Sequence, residues 1–323
     1  MEFSVPRRRF SGLLPEKGCC IYCFRPKQRK GLCRCLLFVV ISHDPVSSRR
    51  SDRRSRRCYL PSSTHECFLG FPDPGVLSRC CLRPVPGACT EQWVKDARRI
   101  DLSDARTDFS GIQLEKDDIA VIAVPSFGGR VPALATQRLS SIHGDQARCA
   151  LVCVYGNRAY EDTLIELNDT AMQCGFRVTA AVAAVAEHSI AHQYAAGRPD
   201  EQDKTVLHAF AEKIKEKLEN SPETVSAPEI PGNRPYKKAG GGGLIPKADS
   251  DCTLCGLCAE SCPAQAISKE NPKETDNSKC ISCMRCVAQC PQSARKVNSI
   301  MVSAVALALK KACSVRKEPE LYL

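Results

Sequence analysis

Eight cysteines near the C-terminus stand at spacings suited to holding metal. Residues 252–263 read Cys252-Thr-Leu-Cys255-Gly-Leu-Cys258-Ala-Glu-Ser-Cys262-Pro263, and residues 280–291 read Cys280-Ile-Ser-Cys283-Met-Arg-Cys286-Val-Ala-Gln-Cys290-Pro291. Both follow C-x2-C-x2-C-x3-C-P. Three thiolates at i, i+3 and i+6 on a tight loop can cap three corners of an iron–sulfur cube, while the fourth, at the start of a helix, points to a neighbouring cube. The proline keeps the loop from closing on the same cluster. The spacing predicts one [4Fe-4S] centre on Cys252, Cys255, Cys258 and Cys290, and a second on Cys280, Cys283, Cys286 and Cys262. A zinc ribbon is the competing reading, but it needs only paired C-x2-C knuckles and four ligands. Two identical sets, each with a third regularly spaced Cys and a Pro, favour the cubes.

The segment that must position these thiols is short. Residues 249–296 form a bacterial-type ferredoxin pattern whose two halves are an internal pseudo-repeat. Such a small α+β module has little apolar core, so metal binding contributes much of its folding energy. Two adjacent cubes would let electrons pass through it singly.

The rest of the 323 residues has room for another domain. The best apolar run, Leu36 to Ser42, falls far short of the ~20 residues of a spanning helix. Arg7, Arg8 and Arg9 lead into no apolar core with a cleavage site. Iron–sulfur thiolates without a secretory signal point to a reducing cytoplasm. The net charge of +10 is concentrated in residues 1–90, where 14 Arg and 3 Lys face 6 acids. A nucleic-acid protein spreads basic residues over a folded face; with the surplus confined to the leader, no nucleic-acid partner is expected.

Residues 1–92 are rich in Arg, Cys, Pro and Ser, with no sustained period beyond the short Cys35–Ser42 run. Three readings stand: a disordered basic tail, a binder of anionic surfaces through Arg49, Arg50, Arg53, Arg54, Arg56 and Arg57, or sequence that is not native coding sequence.

From residue 93 to 220 apolar runs alternate with helical stretches. Strands are expected at Arg99–Ser103, Asp118–Pro125, Cys149–Tyr155 and Phe176–Ala186. Helices are expected at Val131–Ile142, Tyr160–Cys174 and Asp200–Leu218, the last with Val206, Phe210, Ile214 and Leu218 on one stripe. This alternation predicts an α/β parallel sheet with helices on both faces. Ligands sit at the carboxyl ends of such strands, here the loops 126–130 (Ser-Phe-Gly-Gly-Arg) and 156–160 (Gly-Asn-Arg-Ala-Tyr). His188 and His192, after the last strand, are read as surface or capping residues.

The Val-Pro-Ser-Phe-Gly-Gly-Arg-Val-Pro turn, the Val-Tyr-Gly-Asn-Arg-Ala-Tyr-Glu-Asp loop, and Ala-Glu-His-Ser-Ile-Ala with Gly-Arg-Pro-Asp ahead of the cysteine runs resemble the EFR1 family of flavodoxin–ferredoxin fusion proteins, from about residue 93 to the C-terminus. The resemblance implies a flavodoxin-like domain that binds FMN. Phe127 and Tyr160 would contact the ring; Gly128, Gly129, Tyr155, Gly156 and Asn157 would complete the cofactor loops. The chain departs from that pattern at its start. The first strand and its phosphate loop should occupy about residues 65–95, yet no Ser/Thr–Gly loop stands there, and Pro84 and Pro86 fall where its helix should run. FMN binding is therefore expected to be poor or absent in this chain.

Residues 221–248 hold five prolines and the run Gly240 to Gly243, a linker that could let the cysteine module swing. Residues 297–323 read as a helix packed on one of the domains, followed by a tail. Three functions follow. The chain is an electron carrier between redox partner proteins, a flavin-dependent reductase of a small substrate, or a ferredoxin with a non-flavin docking domain. No residue pattern calls for acid–base or nucleophilic work; the chemistry belongs to the cofactors.

Overall fold

The computed structural model describes residues 38–43, 98–220, 227–240 and 243–323. Six strands form the main sheet: β1 (Phe38–His43), β2 (Arg98–Asp101), β3 (Asp118–Pro125), β4 (Arg148–Tyr155), β5 (Arg177–Val185) and β8 (Glu320–Tyr322). They lie in the order β2-β1-β3-β4-β5-β8. β3, β4 and β5 run parallel. They are apolar along nearly their whole length because both faces are covered, as a central parallel strand requires.

The first strand slot is where sequence and structure part. Residues 38–43 fill it, pairing antiparallel with both β2 and β3. Val39 stands between Ile100 and Ile122, and all three are buried. The sheet is therefore mixed rather than parallel, and part of the segment expected to be unstructured or non-native supplies an inner strand. A hydrophobic six-residue run can complete the ladders of two open neighbours in either direction, because each direction pairs every backbone group. The arginine cluster at 49–57, the prolines at 84 and 86 and the rest of the expected phosphate-loop unit lie outside the described residues.

Helices α1 (Ala133–Leu139) and α2 (Thr163–Gln173) cover one face, and α3 (Glu201–Asn220) covers the other. Alternate strand residues serve the two cores. Ile122, Leu151 and Cys153 join Leu139, Leu164 and Leu167 on the first face. Val121, Ala150, Val152, Ala180 and Val182 meet Leu207, Ile214 and Leu218 on the second. α1 is shorter than the expected 131–142 helix, closing in turns at Ser140 and Ser141. α2 starts only at Thr163, because Asn157 and Glu161 in the preceding loop take positive φ angles of 63° and 44°.

The described part of the 221–248 segment does not hang free. The Asp162 carboxylate accepts the Asn233 N–H at 2.8 Å and the Lys237 N–H at 2.7 Å. Asp169 pairs with Arg234 and accepts the Tyr236 hydroxyl. Arg130, locked on Glu166 at 2.7 and 2.8 Å, lies 4.9 Å from the Tyr236 ring centre. Prolines read as linker are thus part of a strap laid along the α/β domain.

The cysteine module comprises the two-stranded ribbon β6 (Lys247–Ala248) and β7 (Arg295–Lys296) with the short helices α4 (Leu257–Glu260) and α5 (Arg285–Gln289). α6 (Ser299–Cys313) follows, capped by the Asn298 side chain, which accepts the N–H groups of Ile300 and Met301. Among the described residues no helix is long and apolar enough to cross a membrane.

Leu151→Ala, in the fully covered middle of β4, is expected to cost about 2–5 kcal/mol. Ile300→Ala, at a site 78% exposed, should stay within about 0.5 kcal/mol. Urea unfolding of the full chain reads both, and equal losses would refute this division between core and surface.

Candidate metal centre

The two cysteine loops are copies at a 28-residue offset, Cys252 matching Cys280 and Cys262 matching Cys290. Backbone geometry repeats with them. Leu254 and Ser282 take φ of 57° and 52°, Gly256 and Met284 take 76° and 59°, and Gln265 and Ser293 take 49° and 54°. Left-handed residues turn the chain sharply enough to aim successive thiols inward, at a strain that non-glycine residues bear only where the surroundings enforce it. Gly256 meets that demand with no Cβ; Met284 meets it while buried.

The hydrogen bonds also cross between the halves. Ala266 O, four residues past Cys262, accepts the Asp276 N–H at 2.7 Å, and Asp276 O accepts the Cys280 N–H at 3.2 Å. In the other half Ala294 O accepts the Asp249 N–H at 3.0 Å, and Asp249 O accepts the Cys252 N–H at 3.3 Å. The fourth cysteine of each loop is thereby drawn to the first cysteine of the other. Each of these fourth sulfurs accepts one backbone N–H, from Ala266 at 3.3 Å and from Ala294 at 3.2 Å.

Around the second loop the thiols line one cavity that opens partly to solvent. Its walls include Cys262, Cys280, Cys283 and Cys286. Burial pushes the Cys283 thiol up to about 11, and the neighbouring Cys262 and Cys280 add to the rise. Burial likewise pushes Cys286 up to about 12, with Cys283, Cys262 and Cys280 adding to it. Thiols raised in this way, as Cys283 and Cys286 are, stay protonated at neutral pH until a cation displaces the protons. Ser282 Oγ and Arg285 Nε are buried here without a hydrogen-bond partner. Donors of that kind suit inorganic sulfide and thiolate sulfur.

The first loop lies more open. Cys258 is buried against Ala259 and Ile267, Cys252 and Cys290 are half-buried, and Cys255 is exposed. Among the described residues no three Cys, His, Asp or Glu side chains close on a point that would hold a single ion. Four thiolates ~2.3 Å from one zinc must crowd together, whereas a cube spreads its ligands over separate iron corners. The donor set fits cubes.

Residues 251–295 match the family described as a 4Fe-4S dicluster domain. This part of the chain is a ferredoxin-type dicluster module. A trichloroethene reductive dehalogenase from Dehalococcoides mccartyi (strain ATCC BAA-2266 / KCTC 15142 / 195) is 42% identical to it over 12% of this chain and 10% of the dehalogenase. The chain thus spans about a tenth of that relative's length. No solved structure matches the chain at comparable stringency.

The dicluster module rests on the α/β domain through Arg285 of its second loop and Pro263 at the end of its first. Arg138 donates to Leu102 O at 2.7 Å and to Pro263 O at 2.8 Å. Arg285 donates to Ser103 Oγ and lies 3.6 Å from the Asp101 carboxylate. Neither arginine stands out in the sequence read alone. Set at the 28-residue offset, Arg285 takes the place of Leu257, which was the available signal.

The loops assigned to FMN are filled by the chain itself. The Asn157 side chain is buried, donating to Cys313 O at 3.1 Å and Val315 O at 2.9 Å and accepting the Lys317 N–H at 3.0 Å. Tyr160 stacks edge-on against Tyr155 and bonds Glu320 and Tyr322 through its hydroxyl. A Cβ on Gly128 would meet Gly240 O at 2.0 Å, one on Gly129 the Glu161 carboxylate, and one on Gly156 the His188 ring. Phe127 closes a tight turn onto Arg130. Because β1 is reversed, its amino end faces the edge where a phosphate cradle needs a strand's carboxyl end followed by a helix N-terminus. The residues present do not fit FMN. His188 acts as a turn cap, its Nδ1 accepting the Ile190 and Ala191 N–H groups.

The tail is also held by charge. Arg198 and Arg316 share the buried Asp203, and Arg316 reaches Asp200 at 2.6 Å. Bonding to Arg316, with help from the Asp203 backbone, holds the Asp200 carboxyl well below the usual aspartate range. A depressed pKa contributes stability above the unfolded value and loses it as pH falls through the folded one. Hydrogen exchange across residues 313–322 should therefore stay protected at pH 4 and rise only in stronger acid. Asn157→Ala should raise that exchange at neutral pH by at least tenfold, since three hydrogen bonds go at roughly 1 kcal/mol each. Unchanged protection in the variant would sink the tail clamp.

Proposed function

We propose that this chain is an iron–sulfur electron-transfer protein. In this reading Cys252, Cys255, Cys258 and Cys290 hold one [4Fe-4S] cluster, and Cys280, Cys283, Cys286 and Cys262 the other. The single observation that carries the assignment is the cavity walled by Cys280, Cys283, Cys286 and the crossing Cys262. When bound, the clusters supply one-electron chemistry. The chain's own residues shape the cavity of the second loop and donate N–H groups to Cys262 and Cys290.

The α/β domain acts in this proposal as a scaffold rather than a flavin carrier. The resemblance to flavodoxin–ferredoxin fusions argues for FMN. The reversed β1 and the filled loops argue against it in this chain. The likeness to a dehalogenase, confined to a tenth of that enzyme, brings no substrate with it. The unit boundaries in this reading are 93–220, joined by the strands at 38–43 and 320–322, for the scaffold, and 249–296 for the dicluster module.

Exchange with a partner protein is proposed at the first loop. Cys255 is exposed there between Leu254 at 54% and Leu257 at 42%, whereas the second loop faces the scaffold through Arg285.

Anaerobic purification should give about eight irons and eight sulfides per chain, with no stoichiometric flavin. Zinc in place of iron would overturn the assignment, and one FMN per chain would overturn the scaffold reading alone. Cys283→Ser should lose about half the iron. Leu254→Ser should slow reduction by a flavoprotein reductase several-fold while leaving both midpoint potentials unchanged. An unaltered rate would place the contact elsewhere.

A further inference from the structure

Among the described residues Arg295 is the largest fully buried side chain, at 2% exposure. It lies inside the dicluster module, and every partner it has is neutral. Nη1 donates to Pro246 O at 3.0 Å and to Thr275 Oγ1 at 2.7 Å, and Nη2 donates to Pro272 O. Nε is buried with no partner. An arginine remains charged inside a protein, and a buried charge without a counter-ion costs several kcal/mol. Something anionic must compensate it.

The surroundings indicate what that is. Pro246 and Thr275, two of the three partners, also line the cavity of Cys262, Cys280, Cys283 and Cys286. The repeat sharpens the point. Twenty-eight residues earlier the same position is Ile267, an apolar residue that lines this same cavity and packs with Cys258, Cys262 and Cys286. At a second matched pair, Leu257 and Arg285, the added charge is shared with Asp101 across the domain contact. Only Arg295 brings the module a buried cation whose partners are all neutral.

Resting on the two-cluster reading, we propose that Arg295 is the built-in counter-ion of the cluster held at Cys286 and makes the two clusters unequal, raising the reduction potential of that one above its neighbour's. The physics is electrostatic. A cluster with four thiolates is net negative, and taking one electron from a donor adds one negative charge without making or breaking a bond. A fixed cation in a poorly screened interior favours the more negative, reduced form. The first loop, residues 249–262, carries no basic side chain that could stabilise the outer cluster in the same way. Electrons entering at the exposed first loop would then run downhill toward the scaffold side.

The test is an EPR-monitored redox titration, with dithionite as reductant, of the anaerobically reconstituted full chain. Two separate one-electron midpoints are expected. In Arg295→Met the higher one should fall by at least a tenfold change in the reduced-to-oxidised ratio at fixed potential, ~59 mV for one electron, and the other should move far less. Arg295→Lys should keep most of the separation. Should the Met variant take up no iron, Arg295→Gln keeps donors without charge and replaces it. A loaded neutral variant with both midpoints unmoved, or with both lowered equally, overturns the proposal and leaves Arg295 as a strut between residues 246, 272 and 275. Wild-type protein that binds no iron would instead overturn the cluster reading itself.

Discussion

The constraint on which the structure depends is the pairing of two cysteine loops whose backbone hydrogen bonds cross between them, so that neither closes independently. The dicluster module has about fifty residues, and Ile267 and Met284 are its large buried apolar side chains. A core so small does not repay the entropy of ordering the chain. Ligation supplies what hydrophobic burial cannot, and the crossed hydrogen bonds at Ala266–Asp276 and Ala294–Asp249 make each half depend on the other. The left-handed turns, the short helices and the buried Arg295 can be understood as parts of that arrangement.

The α/β domain solves a different problem. Its central strands are covered on both faces and stable by ordinary packing, so its carboxyl edge is free to be used. In this chain the edge receives the molecule's own segments. The strap at 227–240 ties to Asp162 and Asp169, and the tail at 313–322 ties to Asn157, Arg198 and Tyr160 and adds β8 to β5. Held at both ends, the dicluster module presents its second loop to the scaffold and its first loop outward. The same contacts that orient it occupy the place where an open sheet of this kind would take a ligand.

Charge follows the same polarity. Residues 249–262 carry Asp249, Asp251 and Glu260 without a basic residue, while residues 277–290 carry Lys279 and Arg285 without an acid. Two halves alike in backbone and cysteine spacing thus differ in the field they make around their sulfurs. A duplicated scaffold can keep the geometry that ligation demands and still be altered at positions, such as 267 and 295, that touch the metal sites without ligating them.

The sequence by itself determined the ligand types and the strand–helix alternation, because both are local: thiol spacing along a loop and apolar periodicity along an element. Its reading of residues 65–95 as lacking a phosphate loop falls outside the described residues. Only the tertiary structure decided the direction of β1, since a short apolar run such as residues 38–43 carries no sign of which way its partners run. Only the tertiary structure filled the carboxyl edge, because the partners of Asn157 lie about 160 residues away and no period links them. The role of Arg295 needed both: the repeat identified its counterpart as Ile267, and folding removed its solvent and left its charge among neutral groups.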